Sequence, residues 1–133
     1  MGKHFKAQIS IEFIIVFIIM LLALGIAASV ALWNIENLRT QKIELEINNL
    51  LVKLTNKINT AFLEGHGFST KIILPDEILG FNYSINITSN DVLLKLSGIT
   101  YGKKIITRNV TGLPKAGTNI IRNENNIIII ENE

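Results

Sequence analysis

From residue 13 to residue 33 the chain reads FIIVFIIMLLALGIAASVALW, 21 residues without a charge. An α-helix rises about 1.5 Å per residue, so this run would be about 31 Å long, the thickness of a bilayer's hydrocarbon core. A chain of 133 residues has too little other material to cover such a helix on every side. The run is therefore expected to insert in a membrane. Lys3 and Lys6 precede it, whereas acids outnumber bases over residues 34–46. The positive-inside rule then keeps the N-terminus in the cytoplasm and exports the remainder. A secretory signal is the competing reading, because the small residues GIAAS at 25–29 would place a cut near Ala28. The length of the run, and its continuation to Trp33, favour retention.

Residues 34–63 contain neither glycine nor proline. Ile43, Ile47, Leu50, Leu51, Leu54, Ile58, Ala61 and Phe62 recur at spacings of three and four, while Lys42, Glu46, Lys53 and Lys57 fall largely elsewhere. That is an amphipathic helix with one apolar stripe. A dimerising coiled coil is the alternative, but no strict heptad is sustained. Gly65 suits a left-handed stop, and no breaker separates this helix from the apolar run. If continuous from about residue 9 to residue 63, the helix would be about 80 Å long.

After Gly67 the period changes. Short runs rich in isoleucine, valine and threonine alternate with turn residues: TKIIL (70–74), NYSINIT (82–88), DVLLKLS (91–97), KIITRNVT (104–111), NII (119–121) and IIII (127–130). TSND and RNENN read as hairpin turns, and Pro75 and Pro114 sit between runs. Residues 127–130, continuously apolar, read as a strand buried on both faces. The expected fold is α+β. A long N-terminal α-helix, apolar in its first half and amphipathic in its second, packs on a small, mostly antiparallel β-domain of about five or six strands. The boundaries fall at 1–7, 8–33, 34–64 and 65–133.

With 13 basic and 11 acidic residues, the chain lacks the basic excess of a nucleic-acid binder. The absence of cysteine excludes disulfides, thiolate metal sites and cysteine nucleophiles. No catalytic constellation is visible. His66 lies in a glycine turn, Asp76 and Glu77 follow Pro75 as a turn pair, and Lys103, Lys104 and Arg108 form a small basic cluster near Tyr101. No enzyme activity, cofactor or metal is expected. Three sequons, Asn82-Tyr83-Ser84, Asn86-Ile87-Thr88 and Asn109-Val110-Thr111, lie in the exported region. They are candidate N-glycosylation sites, although an asparagine-rich composition explains much of their number. Asn82 and Asn86 would share one strand face by period two.

Ahead of the apolar run stand Lys6, Ala7, Gln8, Ser10, Glu12 and Phe13. Together they resemble the class III signal peptide of archaeal type IV pilins. In that family a membrane prepilin peptidase removes a short basic leader just before a glutamine. The apolar helix then remains on the mature subunit as its assembly domain. The resemblance places the cut between Ala7 and Gln8, with Ala7 standing where glycine is commoner, and makes Glu12 the fifth residue of the mature chain. It further implies a subunit that polymerises with itself through residues 8–63, served by a pilus assembly ATPase and its platform. The mature form would lie in an extracellular filament used for adhesion.

Physical chemistry gives Glu12 a separate rationale. In an apolar packing environment a carboxylate finds a partner or loses its charge. Leader removal creates an α-amino group on Gln8, four residues upstream. A neighbouring subunit presenting that amine to Glu12 would neutralise it in one axial register only, which specifies register more than it adds stability. Cyclisation of Gln8 would remove the amine. The alternative is a glutamate that snorkels at the membrane interface. Leader removal also takes away Lys3 and Lys6, two of the 13 basic residues, and no acid. The mature chain is then formally neutral, which permits dense packing of copies. A minor pilin or pseudopilin component, and a permanently anchored surface-binding module, are the competing functions.

Overall fold

The computed structural model describes the backbone of residues 3–133 and the side chains of residues 11–133. The helix expected from the sequence is one element, α1 (Lys3–Glu64). The chain divides into two compact units, Met1–Gln41 and Lys42–Glu133, so the division falls inside α1. Residues 42–64 of the helix thus belong with the strands, whereas 34–41, read as the start of its amphipathic half, belong with the apolar run.

In the first unit every side chain of residues 11–40 is exposed. Helix formation there needs no tertiary support in an apolar medium, where each backbone group must be bonded within the segment. Gly25 is the one weak helix former in the run. The lone hydroxyl nearby, on Ser29, donates to the Gly25 carbonyl at 2.8 Å and so carries no unmet polar demand. Phe13 and Phe17, one turn apart, stack with ring centroids 6.4 Å apart.

In the second unit the stripe does what its spacing predicts. Ile47, Leu50, Leu51, Leu54, Ile58 and Ala61 are buried, with Ile43 and Phe62 packed against them. Each fully buried aliphatic side chain contributes about 1.5–3 kcal/mol, so this face dominates the packing of helix on sheet. Lys57 closes one flank, its Nζ donating to Thr70 Oγ1 at 2.9 Å. The helix stops at Glu64 because Gly65 adopts φ +87°.

Seven strands follow: β1 (Ser69–Leu74), β2 (Tyr83–Ile87), β3 (Asp91–Leu96), β4 (Ile99–Lys104), β5 (Val110–Thr111), β6 (Gly117–Glu124) and β7 (Ile127–Asn132). They form two sheets, β1-β6-β7-β5 and β2-β3-β4. All pairings are antiparallel except β5 with β7. Inward positions alternate: Ile72 and Leu74 on β1, Ile85 on β2, Val92, Leu94 and Leu96 on β3, Ile121 on β6, Ile128 and Ile130 on β7.

The strands number seven in two sheets rather than five or six, because β4 has no counterpart among the runs read from the sequence, and three details also differ. The segment 104–111 is not one strand. β4 ends at Lys104, and residues 105–109 form a connection in which Asn59 on α1 accepts the Ile106 N–H at 3.0 Å. Residues 127–130 are not buried on both faces: Ile128 and Ile130 point inward, while Ile127 is exposed. The strand read at 119–121 extends through Glu124, so the turn before β7 is only Asn125 and Asn126, both at positive φ.

The core includes polar groups. Asn123 is buried and its Nδ2 donates to the carbonyls of Ala61 (2.8 Å) and Phe62 (3.4 Å). Those carbonyls lie in the last turn of α1, so a strand residue caps the helix end from the side. Asn119, equally buried, bonds Lys115, Gly117 and Asn132 and closes the loop before β6.

Candidate functional site

Of the leader motif, Glu12 and Phe13 are described with their side chains. Those of Lys6, Ala7, Gln8 and Ser10 lie outside the described residues, as does any contact they make. The backbone at Ala7 and Gln8 belongs to α1, so a cut between them would shorten the helix by its first turn. Glu12 is exposed and forms no ion pair with another described residue. Its helical neighbours toward the C-terminus are Ile15 and Val16, both aliphatic and exposed. A carboxylate thus stands among side chains that must leave water, and whatever covers them must also receive its charge.

That demand is large. Phe13, Leu24, Leu32 and Trp33 are each about two-thirds exposed, and none of the apolar run is buried within the chain. The helix is long and apolar enough to cross or anchor in a membrane. Beyond the run, Leu38, Leu45 and Leu63 also remain exposed.

The three sequon asparagines are exposed as well. Asn82 precedes β2 and Asn86 lies within it. Ile85 between them is buried, so the two amides fall on the outward side, as period two requires. Asn109 lies in the connection before β5. Its backbone N–H donates to Thr107 Oγ1 at 3.2 Å, and its carbonyl accepts from Ile128. An oligosaccharide on any of the three would project from the surface.

The other polar groups singled out in the sequence lie apart from one another. His66 Nδ1 accepts the Asn125 N–H at 3.1 Å, tying the post-helix turn to the β6–β7 hairpin. Lys103 and Lys104 lie on β4, an edge strand, with Tyr101 half-buried beside the helix. The Tyr83 hydroxyl donates to the Pro75 carbonyl. Burial, and secondarily the negative charge of Asp76, hold its pKa above the ordinary phenol value. Glu77 belongs to neither interaction, so Asp76 and Glu77 do not work as a pair.

The sequence reading missed a groove of about 450 Å³ between α1 and the segment after β1. Leu50, Leu74 and Ile78 form its buried floor, and Ile73 and Leu79 stand exposed at its lip. Compared with family models, with curated proteins and with solved structures, the chain matches none of them.

Proposed function

We propose that this chain is a structural subunit of an extracellular type IV pilus-like filament. It is inserted in the membrane as a precursor, trimmed before Gln8 by a prepilin peptidase, and polymerised through α1 by an assembly ATPase and platform. The mature filament serves adhesion. The observation that carries the reading is the division of labour within one helix. Its second half seats a stripe in the chain's own core, while residues 11–40 have no cover at all. Lipid covers such a surface before assembly, and identical helices cover it afterwards.

A permanent anchor would account for the apolar run, with Glu12 snorkelling at its mouth; the resemblance of residues 6–13 to a class III signal peptide supports the assembly role instead. In a polymer, the Gln8 amine of a neighbour neutralises Glu12 and fixes the axial register. The exposed Asn82, Asn86 and Asn109 suit a glycan coat on the outer surface.

The test is Glu12→Ala expressed in place of the wild-type chain. Export and trimming should proceed normally while shed filaments disappear or fall sharply in yield. Normal filaments from this variant would remove Glu12 from assembly.

A further inference from the structure

Three two-residue turns in this domain place both central residues at positive φ. Ser97-Gly98 joins β3 to β4, and Asn125-Asn126 joins β6 to β7. Both are built from residues that tolerate or favour the left-handed region. The third is Leu79-Gly80, at φ +50° and +83°, closed by paired backbone bonds of 3.0 Å between Ile78 and Phe81. Leucine is a poor choice for this position, where asparagine is preferred. The core does not repay it, because Leu79 is 42% exposed. A strained residue kept without a folding benefit points to a use outside the fold.

Leu79 forms the lip of the apolar groove. Ile73, also lining it, is 68% exposed, and the buried floor of Leu50, Leu74 and Ile78 is aliphatic. The charges, Glu46, Lys53 and Glu77, are confined to the rim. The occupant must therefore be an uncharged, aliphatic surface. One such surface exists in a fixed one-to-one ratio with the groove: residues 13–33 of another copy of this chain, uncharged over their whole length and uncovered.

We infer that the groove beside Leu79 is a seat for the apolar helix of a neighbouring subunit, so that each domain clasps another chain's helix. This rests on the filament reading and adds to it a contact between the strand domain and the packed helices. A groove on one copy and a helix on the next make a heterologous contact, which propagates into open filaments rather than closing a dimer.

Two experiments on the full-length chain test this. Leu79→Asn suits the turn better than leucine does, so the thermal midpoint of the domain should hold or rise. Removing the lip forfeits the burial of the exposed part of one leucine side chain, about 1 kcal/mol, so filament yield should fall about fivefold. A simple folding defect would move both readouts down together. In the second experiment, a photo-reactive amino acid replaces Leu79 and filaments are irradiated. The expected product is a two-chain adduct whose second attachment lies within residues 13–33. Leu79→Asn filaments at wild-type yield would overturn the inference while leaving the filament reading standing. Adducts to lipid, to a different protein, or to another part of the chain would do the same. Failure of the wild-type chain to enter filaments would overturn both.

Discussion

Replacing Asn123 by alanine should cost far more than its polarity suggests. The side chain, 1% exposed, joins β6 to the end of α1 and to the β6–β7 turn, since Oδ1 also accepts the Asn126 N–H at 3.0 Å. In Asn123→Ala the Ala61 carbonyl loses its donor. Ala61 is itself 0% exposed, so no water replaces the bond, and removing a donor from a dry carbonyl costs about 1–3 kcal/mol. Asn126 is exposed, so its N–H returns to solvent and only the net value of a hydrogen bond, about 1 kcal/mol, is lost. The sum is about 2–4 kcal/mol, a large share of the stability of any domain this small. At a urea slope of about 1.5 kcal/mol/M, the unfolding midpoint should fall by about 1.3–2.7 M. Both tyrosines, Tyr83 and Tyr101, lie in this unit. Near-ultraviolet circular dichroism of the full-length protein in micelles therefore reports on it.

The isosteric Asn123→Asp sharpens the test. It keeps an acceptor for Asn126 but aims a carboxylate at two carbonyls in a buried site, which raises its pKa. Below the unfolded carboxyl pKa of about 3.9, both states are protonated and the acid hydroxyl donates to Ala61. As pH rises the unfolded state ionises first, so stability falls until the folded pKa is passed. Asn123→Asp should therefore be near wild type at pH 3.5 and clearly weaker at pH 7. The deficit of Asn123→Ala should not change with pH. An alanine shift under about 0.3 M, or an aspartate variant indifferent to pH, would refute the capping role.

Two further variants probe the same unit. Gly112, at φ +91°, passes so close to β7 that an added Cβ would lie 2.1 Å from the Ile130 carbonyl oxygen. Gly112→Ala should cost at least about 3 kcal/mol in urea unfolding, whereas Gly98→Ala, at φ +87° but in open space, should cost only about 1 kcal/mol. Tyr83 has its pKa raised by burial and then by Asp76. Its contribution is therefore intact below the unfolded phenol pKa of about 10 and is lost as pH climbs through the higher folded value. Urea midpoints above pH 10 should fall less steeply in Tyr83→Phe than in the wild type.

The helix was legible because its signals agree. An uninterrupted apolar run, a stripe at three- and four-residue spacing and a glycine stop all specify one element, and six of the eight stripe residues are buried, with Ile43 and Phe62 half-buried beside them and Thr55 buried in addition. The first three strands were legible for the same reason, each being bounded by turn residues. β4 was not, because ITYGKK shows no clear alternation, and its start is marked only by Ser97-Gly98. The β-branched run at 104–111 looked like a strand from composition alone. Tertiary contacts decide otherwise: Asn59 captures the Ile106 N–H and leaves only Val110 and Thr111 to pair. Asn119 and Asn123 were hidden among 15 asparagines. Their signal was period two with Ile121, which places all three on one face of β6, but polarity argued against an inward face. The groove was invisible because it needs Leu50 and Ile78 side by side, a tertiary fact. Leu79-Gly80 carried no turn signature beyond its glycine. In the candidate site, accessibility of Asn82 and Asn86 followed from strand periodicity, that of Asn109 did not, and the demand for an external cover followed from the length of the apolar run.

The central claim is that the working molecule is a trimmed chain inside a polymer. Mass spectrometry of its N-terminus, in shed surface filaments and in membranes, tests that most directly. A filament-borne chain beginning at Gln8 is the predicted result: an open terminus leaves an amine for Glu12, and a cyclised one removes it and confines the carboxylate to hydrogen bonds from the ring. A chain that keeps Met1 and is found only in membranes would contradict the account, and would make this protein an anchored surface domain.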